Sequence, residues 1–97
     1  MTTAMATYVF HSDAGHGWLA VKRHELIELG ILEKISSYSY EKGKTVYLEE
    51  DCDAGIFIEA MKAKGIEIKC REGKSVNRSP VRSYKVFVPN PRSLLTA

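Results

Sequence analysis

Apolar and polar positions change period several times along this chain, and each change predicts an element. Residues 8–12 and 18–21 read as two strands, joined by Asp13, Ala14, Gly15, His16 and Gly17, a stretch of turn formers that makes a hairpin the simplest geometry. Residues 22–29 follow as a short amphipathic helix with Leu26 and Leu29 one turn apart, Ile27 widening the stripe, and Gly30 as its stop. Residues 37–40 and 45–49 form a second hairpin. With Lys42 and Gly43 as its turn, Tyr40 would oppose Thr45 and Tyr38 would oppose Tyr47, placing three tyrosines on one face and Ser37, Ser39, Val46 and Leu48 on the other.

The strongest helical pattern covers residues 54–64, where Ile56, Phe57, Ala60 and Met61 share a face, Asp51 or Asp53 serves as cap, and Gly65 ends the helix. Ile66, Ile68 and Cys70 then alternate with charged residues, the period of a half-buried strand. A polar loop occupies 73–80, and 83–88 reads as a last strand closed by Pro89. The expected fold is α+β: an antiparallel sheet with two helices on one face and the other face open. Merging the first two strands gives a ferredoxin-like βαββαβ plait with added strands. The expected organisation is a single domain over 1–89 and a loosely held tail over 90–97.

Charge sharpens this picture. Residues 1–60 carry five Lys and Arg against ten Asp and Glu, whereas 61–97 carry nine against two. The net charge of +2 therefore hides an acidic part followed by a basic part. A basic set, Lys69, Arg71, Lys74, Arg78, Arg82, Lys85 and Arg92, suggests an anionic partner. With Tyr38, Tyr40 and Tyr47 offering stacking surfaces, it makes RNA or single-stranded DNA one candidate ligand. The plainer reading leaves the tyrosines in the core and the cations as ordinary solvated charge. Glu49, Glu50, Asp51 and Asp53 form an acidic patch at a helix start, where carboxylates also favour the helix dipole.

Candidate chemistry is sparse. His11, Asp13 and His16 lie within six residues and suit zinc, manganese or iron, so a metal-dependent hydrolase is a further candidate, although spacing supplies no fourth ligand. The same residues also read as an Asx turn with Trp18 packed beyond it. Gly73, Lys74 and Ser75 mimic the end of a phosphate-binding loop, but Ile68 stands where that motif needs glycine. Cys52 and Cys70, 18 positions apart, read as reduced, mostly buried thiols. No nucleophile and base can be paired from spacing, so no cofactor and no catalytic residue is assigned, and a non-enzymatic role is favoured. The first ten residues suggest neither a signal peptide nor a membrane span, and the expected compartment is the cytoplasm.

Several blocks together resemble a family of small proteins carried by bacteriophages and plasmids. They are the run from Tyr8 through Leu19 with His11, Asp13, His16 and Trp18, the pairs Glu25-Leu26 and Leu29-Gly30, the run Ser37 to Tyr40, and Val46 to Ala54 with the acidic patch. Members commonly carry proline where this chain has Ala14. The family has no assigned activity, so the resemblance implies a habitat, the cytoplasm of a bacterial host, rather than a mechanism. The resulting expectation is an accessory protein that acts as a binding module on a host protein or nucleoprotein complex, with anti-defence activity such as CRISPR inhibition as one form. A homodimer is compatible with an uncovered sheet edge.

Overall fold

In the computed structural model, which describes residues 4–73 and 79–89, the chain folds as α+β around a six-stranded mixed sheet. The strands are β1 (Ala4–Ser12), β2 (Gly17–Lys22), β3 (Tyr40–Lys42), β4 (Thr45–Glu49), β5 (Ile66–Glu72) and β6 (Lys85–Val86). The helices are α1 (Arg23–Glu28) and α2 (Asp53–Ala63), with short 3-10 turns at Leu32–Lys34 and Pro80–Ser83. Strand order is β5-β1-β2-β4-β3-β6. β1 and β2 are two strands paired antiparallel to each other, not the one bent element of the plait reading. Among the described residues no helix is long and apolar enough to cross a membrane.

The sheet is mixed rather than antiparallel, because β5 lies parallel to β1 from Ala4↔Ile66 to Phe10↔Glu72. A parallel return needs a crossover of a dozen or more residues, and α2 with its flanking turns supplies it. This pairing also extends β1 back to Ala4, where the sequence has no clear alternation. The β1–β2 pairing runs only from Phe10↔Leu19 to Ser12↔Gly17. Beyond it lies a cavity of about 330 Å³ lined by Thr7, Val9, Ala20 and Lys22, while the Tyr8 hydroxyl donates to Glu25 on α1.

One face of the sheet carries the core. Leu19 and Val21 of β2 and Val46 and Leu48 of β4 meet Leu26 of α1, Phe57 and Met61 of α2, and Ile31, Ile35 and Phe87. Full burial of each large side chain favours folding by about 1.5–3 kcal/mol. Ile27 departs from the expected stripe and is exposed, because a helix of six residues presents one buried position, Leu26. In α2, Gly65 takes φ +78° and closes the helix as expected, but neither Asp51 nor Asp53 caps it. The N-cap is Cys52, and the loose amides of Asp51 and Cys52 donate instead to Glu49 Oε2 at 2.9 and 3.0 Å.

The second hairpin is shifted. Lys42 opposes Thr45 and Tyr40 opposes Tyr47, so Gly43 and Lys44 form the loop. Gly43 has φ +60° and takes the first loop position, where positive φ lets a two-residue loop follow strand twist. Tyr38 therefore falls outside the strand. Its neighbouring serines are committed elsewhere: the Ser36 amide and hydroxyl and the Ser39 hydroxyl all donate to Asp53 Oδ2, at 3.0, 2.7 and 2.5 Å. Ser39 and Asp53 are buried. The expected last strand is likewise cut to two residues, because Ser79 caps a 3-10 turn and Phe87 inserts into the core. The Val88 amide donates to Glu41 Oε2 at 2.8 Å, and Arg23 donates to the carbonyls of Val88 and Pro89, also at 2.8 Å.

The face away from the helices is only partly open. Val81 is 2% exposed, Tyr84 packs on Tyr47 with ring centres 5.1 Å apart, and Arg82 lies over Trp18. Both cysteines are free and exposed, contrary to the expected burial, because Cys52 sits in the turn before α2 and Cys70 near the end of the edge strand β5.

Candidate functional site: an aromatic cleft with a carboxylate floor

The loop between β1 and β2 is built on Asp13. Its Oδ1 accepts the Gly15 and His16 amides at 2.9 and 3.0 Å, the geometry of an Asx turn. Its Oδ2 accepts the Ser79 amide at 2.9 Å, and the Arg82 guanidinium spans both oxygens. The Asp13 side chain is 1% exposed, and Arg82, followed by the Ser79 amide, holds its carboxyl well below the usual range. The carboxylate that was to anchor a metal is thus saturated by the chain itself. His11 packs edge-on against Tyr47, where burial lowers its pKa. His16 leans toward Trp18 instead. Among the described residues no three His, Cys, Asp or Glu side chains are grouped to hold a metal ion, so His11, Asp13 and His16 do not form the candidate centre, and Asp13 makes the alternative Asx turn.

What this clasp does build is the wall of a cleft. Arg82, pinned by Asp13, places its guanidinium carbon 5.4 Å from the centre of the Trp18 ring. Tyr40 meets Trp18 edge to face at 6.3 Å, and His16 tilts against it at 6.1 Å. These four residues, with Tyr38 and Ser37 from the serine-held turn and Glu49, Asp51 and Cys52 from the end of β4, enclose about 450 Å³. Trp18 is 2% exposed, and its indole N–H has no hydrogen-bond partner among the described residues.

Glu49 forms the floor. It is 8% exposed, and its Oε2 is fixed by two backbone amides. Its Oε1 has no hydrogen bond among the described residues; His16 Nδ1 lies 3.9 Å away. Asp51 is exposed at the rim. Desolvation, then the charges of Glu49, Asp53 and Asp51, push the Cys52 thiol up, which disfavours its nucleophilic form. The cleft is therefore acidic and aromatic, with its one guanidinium already neutralised.

The predicted basic set is divided. Lys69 and Arg71 lie on β5 at one edge of the sheet, and Lys85 lies on β6 at the other. Arg82 is committed to Asp13. Lys74, Arg78 and Arg92 lie outside the described residues. Tyr40 and Tyr47 stand opposite each other on the sheet and are half-buried, and burial beside Tyr84 raises the pKa of Tyr47; Tyr38 alone is largely exposed. The acidic patch also divides: Asp53 and Glu49 are buried in hydrogen-bond networks, whereas Glu50 and Asp51 face solvent. Sequence reasoning missed the part played by Trp18, Ser37 and Cys52 in one cleft, since they read singly as a core residue, a strand residue and a buried thiol. Two lysines from the acidic part, Lys22 and Lys42, also flank Thr45 on the partly open face.

No family model, curated protein or solved structure matches this chain.

Proposed function

We propose that this chain is a small non-enzymatic binding module of a bacteriophage or other mobile element, and that it engages a host protein or nucleoprotein complex through the cleft around Trp18 and Glu49. Anti-defence activity, including inhibition of a CRISPR complex, is one form this takes. The observation that carries the reading is Glu49: a carboxylate oriented by two amides, with a free oxygen in an aromatic recess, is preorganised for recognition rather than for nucleophilic chemistry. The one thiol in the recess, Cys52, is held in its poorly reactive form. The mobile-element setting comes from the resemblance of the Tyr8–Leu19 and Val46–Ala54 runs, both of which contribute to this cleft. Direct binding of RNA or single-stranded DNA draws less support, because Lys69, Arg71 and Lys85 occupy opposite edges and the cleft itself is acidic.

The test is affinity capture from a bacterial host lysate with the wild-type chain, the cleft variants Tyr38→Ala and Asp51→Lys, and the remote variant Lys85→Glu. A host protein retained by wild type and Lys85→Glu but lost with both cleft variants supports the reading. Equal retention by all four chains, or by none, overturns it.

A further inference from the structure

Twice in this fold an arginine is held between a carboxylate and an aromatic ring. Arg82 lies over Trp18 and is bonded by Asp13, and Arg23 lies 5.1 Å over the Phe87 ring with Glu41 Oε1 3.4 Å away. The cleft repeats the other two components a third time. Glu49 supplies the carboxylate, and Tyr38 and Tyr40 supply the rings, but no cation of the described residues bonds to Glu49.

Resting on the proposed binding role, we infer that the cleft receives the side chain of an arginine presented by the partner protein, with its guanidinium bonded to Glu49 Oε1. Three observations converge on this ligand. The Glu49 side chain is 11% exposed: two backbone amides fix its Oε2, while its Oε1 has no hydrogen bond among the described residues and is open to a donor entering the cleft. With Arg82 neutralised by Asp13, Glu49 and Asp51 leave the recess negative, which favours a cation over a phosphate or carboxylate. Tyr38 is 69% exposed, large and aromatic at the mouth, a surface on which a planar guanidinium stacks better than a strongly hydrated ammonium.

The experiment is a two-dimensional amide NMR titration of the full chain with acetyl-Gly-Arg-Gly-amide. Matched peptides carry citrulline, an uncharged isostere, or lysine, and guanosine monophosphate is a separate probe. Saturable shifts at Tyr38, Glu49, Asp51 and the Trp18 indole N–H are expected with arginine, with affinity at least about tenfold weaker for citrulline. Glu49→Gln should weaken arginine binding by at least about tenfold. Because Glu49 also holds two amides, Tyr38→Ala provides a second variant at an exposed position and should weaken binding without lowering the melting temperature. Equal affinity for citrulline, unchanged affinity in both variants, absence of saturable shifts, or guanosine monophosphate shifting these amides in place of arginine would each overturn the assignment. Cleft-dependent capture of a host protein alongside a negative titration would leave the binding role standing and remove arginine as its ligand. Failure of both would remove the binding role as well.

Discussion

Replacing Asp53 with alanine tests whether the cleft is held by a buried polar network rather than by sheet pairing. Asp53 Oδ2 accepts three donors, the Ser36 amide, the Ser36 hydroxyl and the Ser39 hydroxyl, and Ser39 Oγ in turn accepts the Glu49 amide at 3.0 Å. Asp53 and Ser39 are 1% and 0% exposed. A hydrogen bond to a charged group stabilises by about 1.5–3 kcal/mol, and a donor left without an acceptor in the interior costs about 1–3 kcal/mol. Removal of the carboxylate also removes its own desolvation cost, so the three losses do not add in full. The expected destabilisation is about 3–4 kcal/mol, a large share of the roughly 5–15 kcal/mol typical of a domain this size. In melting temperature this is a fall of about 12–30 °C. Asp53→Asn keeps one acceptor for Ser36 and should lose about half as much. Ser39→Ala and Asp53→Ala remove parts of one network, so the double variant should be more stable than the sum of the singles by about 1 kcal/mol. The assay is urea denaturation followed by circular dichroism, with the slope checked for constancy. A loss below about 1 kcal/mol for Asp53→Ala, or strict additivity with Ser39→Ala, would refute the network account.

Other expectations follow from single contacts. A methyl group at Gly17 would meet the Phe10 ring at 2.2 Å, so Gly17→Ala should lower stability by about 1–3 kcal/mol in the same denaturation assay as the ring is displaced. Asp13 is depressed in the folded state, so its contribution is complete above its unfolded value of about 3.9 and is lost as pH falls below that toward the folded value. The melting temperature of Asp13→Asn should therefore lie below wild type at pH 7, with the gap closing under strong acid; a gap constant with pH would contradict the ion pair. Cys52 and Cys70 are both exposed, yet the raised thiol of Cys52 should alkylate with iodoacetamide several-fold more slowly, as read by mass spectrometry of each cysteine. Asp51→Asn should narrow that difference, since it removes one of the charges responsible.

Elements whose side chains alternate or recur with a single outlet for their polar groups were legible in the sequence. α2 is one: Phe57 and Met61 fall one turn apart and both are buried. β4 is another, with Val46 and Leu48 facing the core. Legibility fails where a polar side chain has a distant partner. Ser37 to Tyr40 reads as a strand because serine and tyrosine alternate, but Asp53 draws the Ser36 and Ser39 hydroxyls inward and leaves Tyr38 on a turn. The segment 83–88 reads as a strand, yet the Ser79 hydroxyl accepts the Val81 amide and Arg82 reaches Asp13, 69 positions away. The parallel edge pairing of β5 with β1 was hidden for a different reason, since it is a backbone pairing distant in sequence and nothing local to 4–7 marks a strand.

The candidate site was obscured by reading charge along the chain instead of across the fold. Ten carboxylates among residues 1–60 and nine cations among 61–97 suggest two opposed surfaces. Folding changes what each charge is free to do: Asp13 of the acidic part takes Arg82 of the basic part, while Glu41 is taken within its own part by Arg23 and also accepts the Val88 amide. Charge that remains free is therefore set by which groups lack a partner after folding, not by their count. On that criterion Glu49, largely enclosed with Oε2 fixed by two amides and Oε1 unbonded among the described residues, stands out beside exposed Asp51 more than the cations on the sheet edges. A solvated lysine on β5 or β6 loses little by remaining unpaired, whereas a desolvated carboxylate gains from the first suitable donor that reaches it. Under the proposed binding role, the contact is accordingly sought at the end of β4, where Trp18 and Glu49 pair across the sheet.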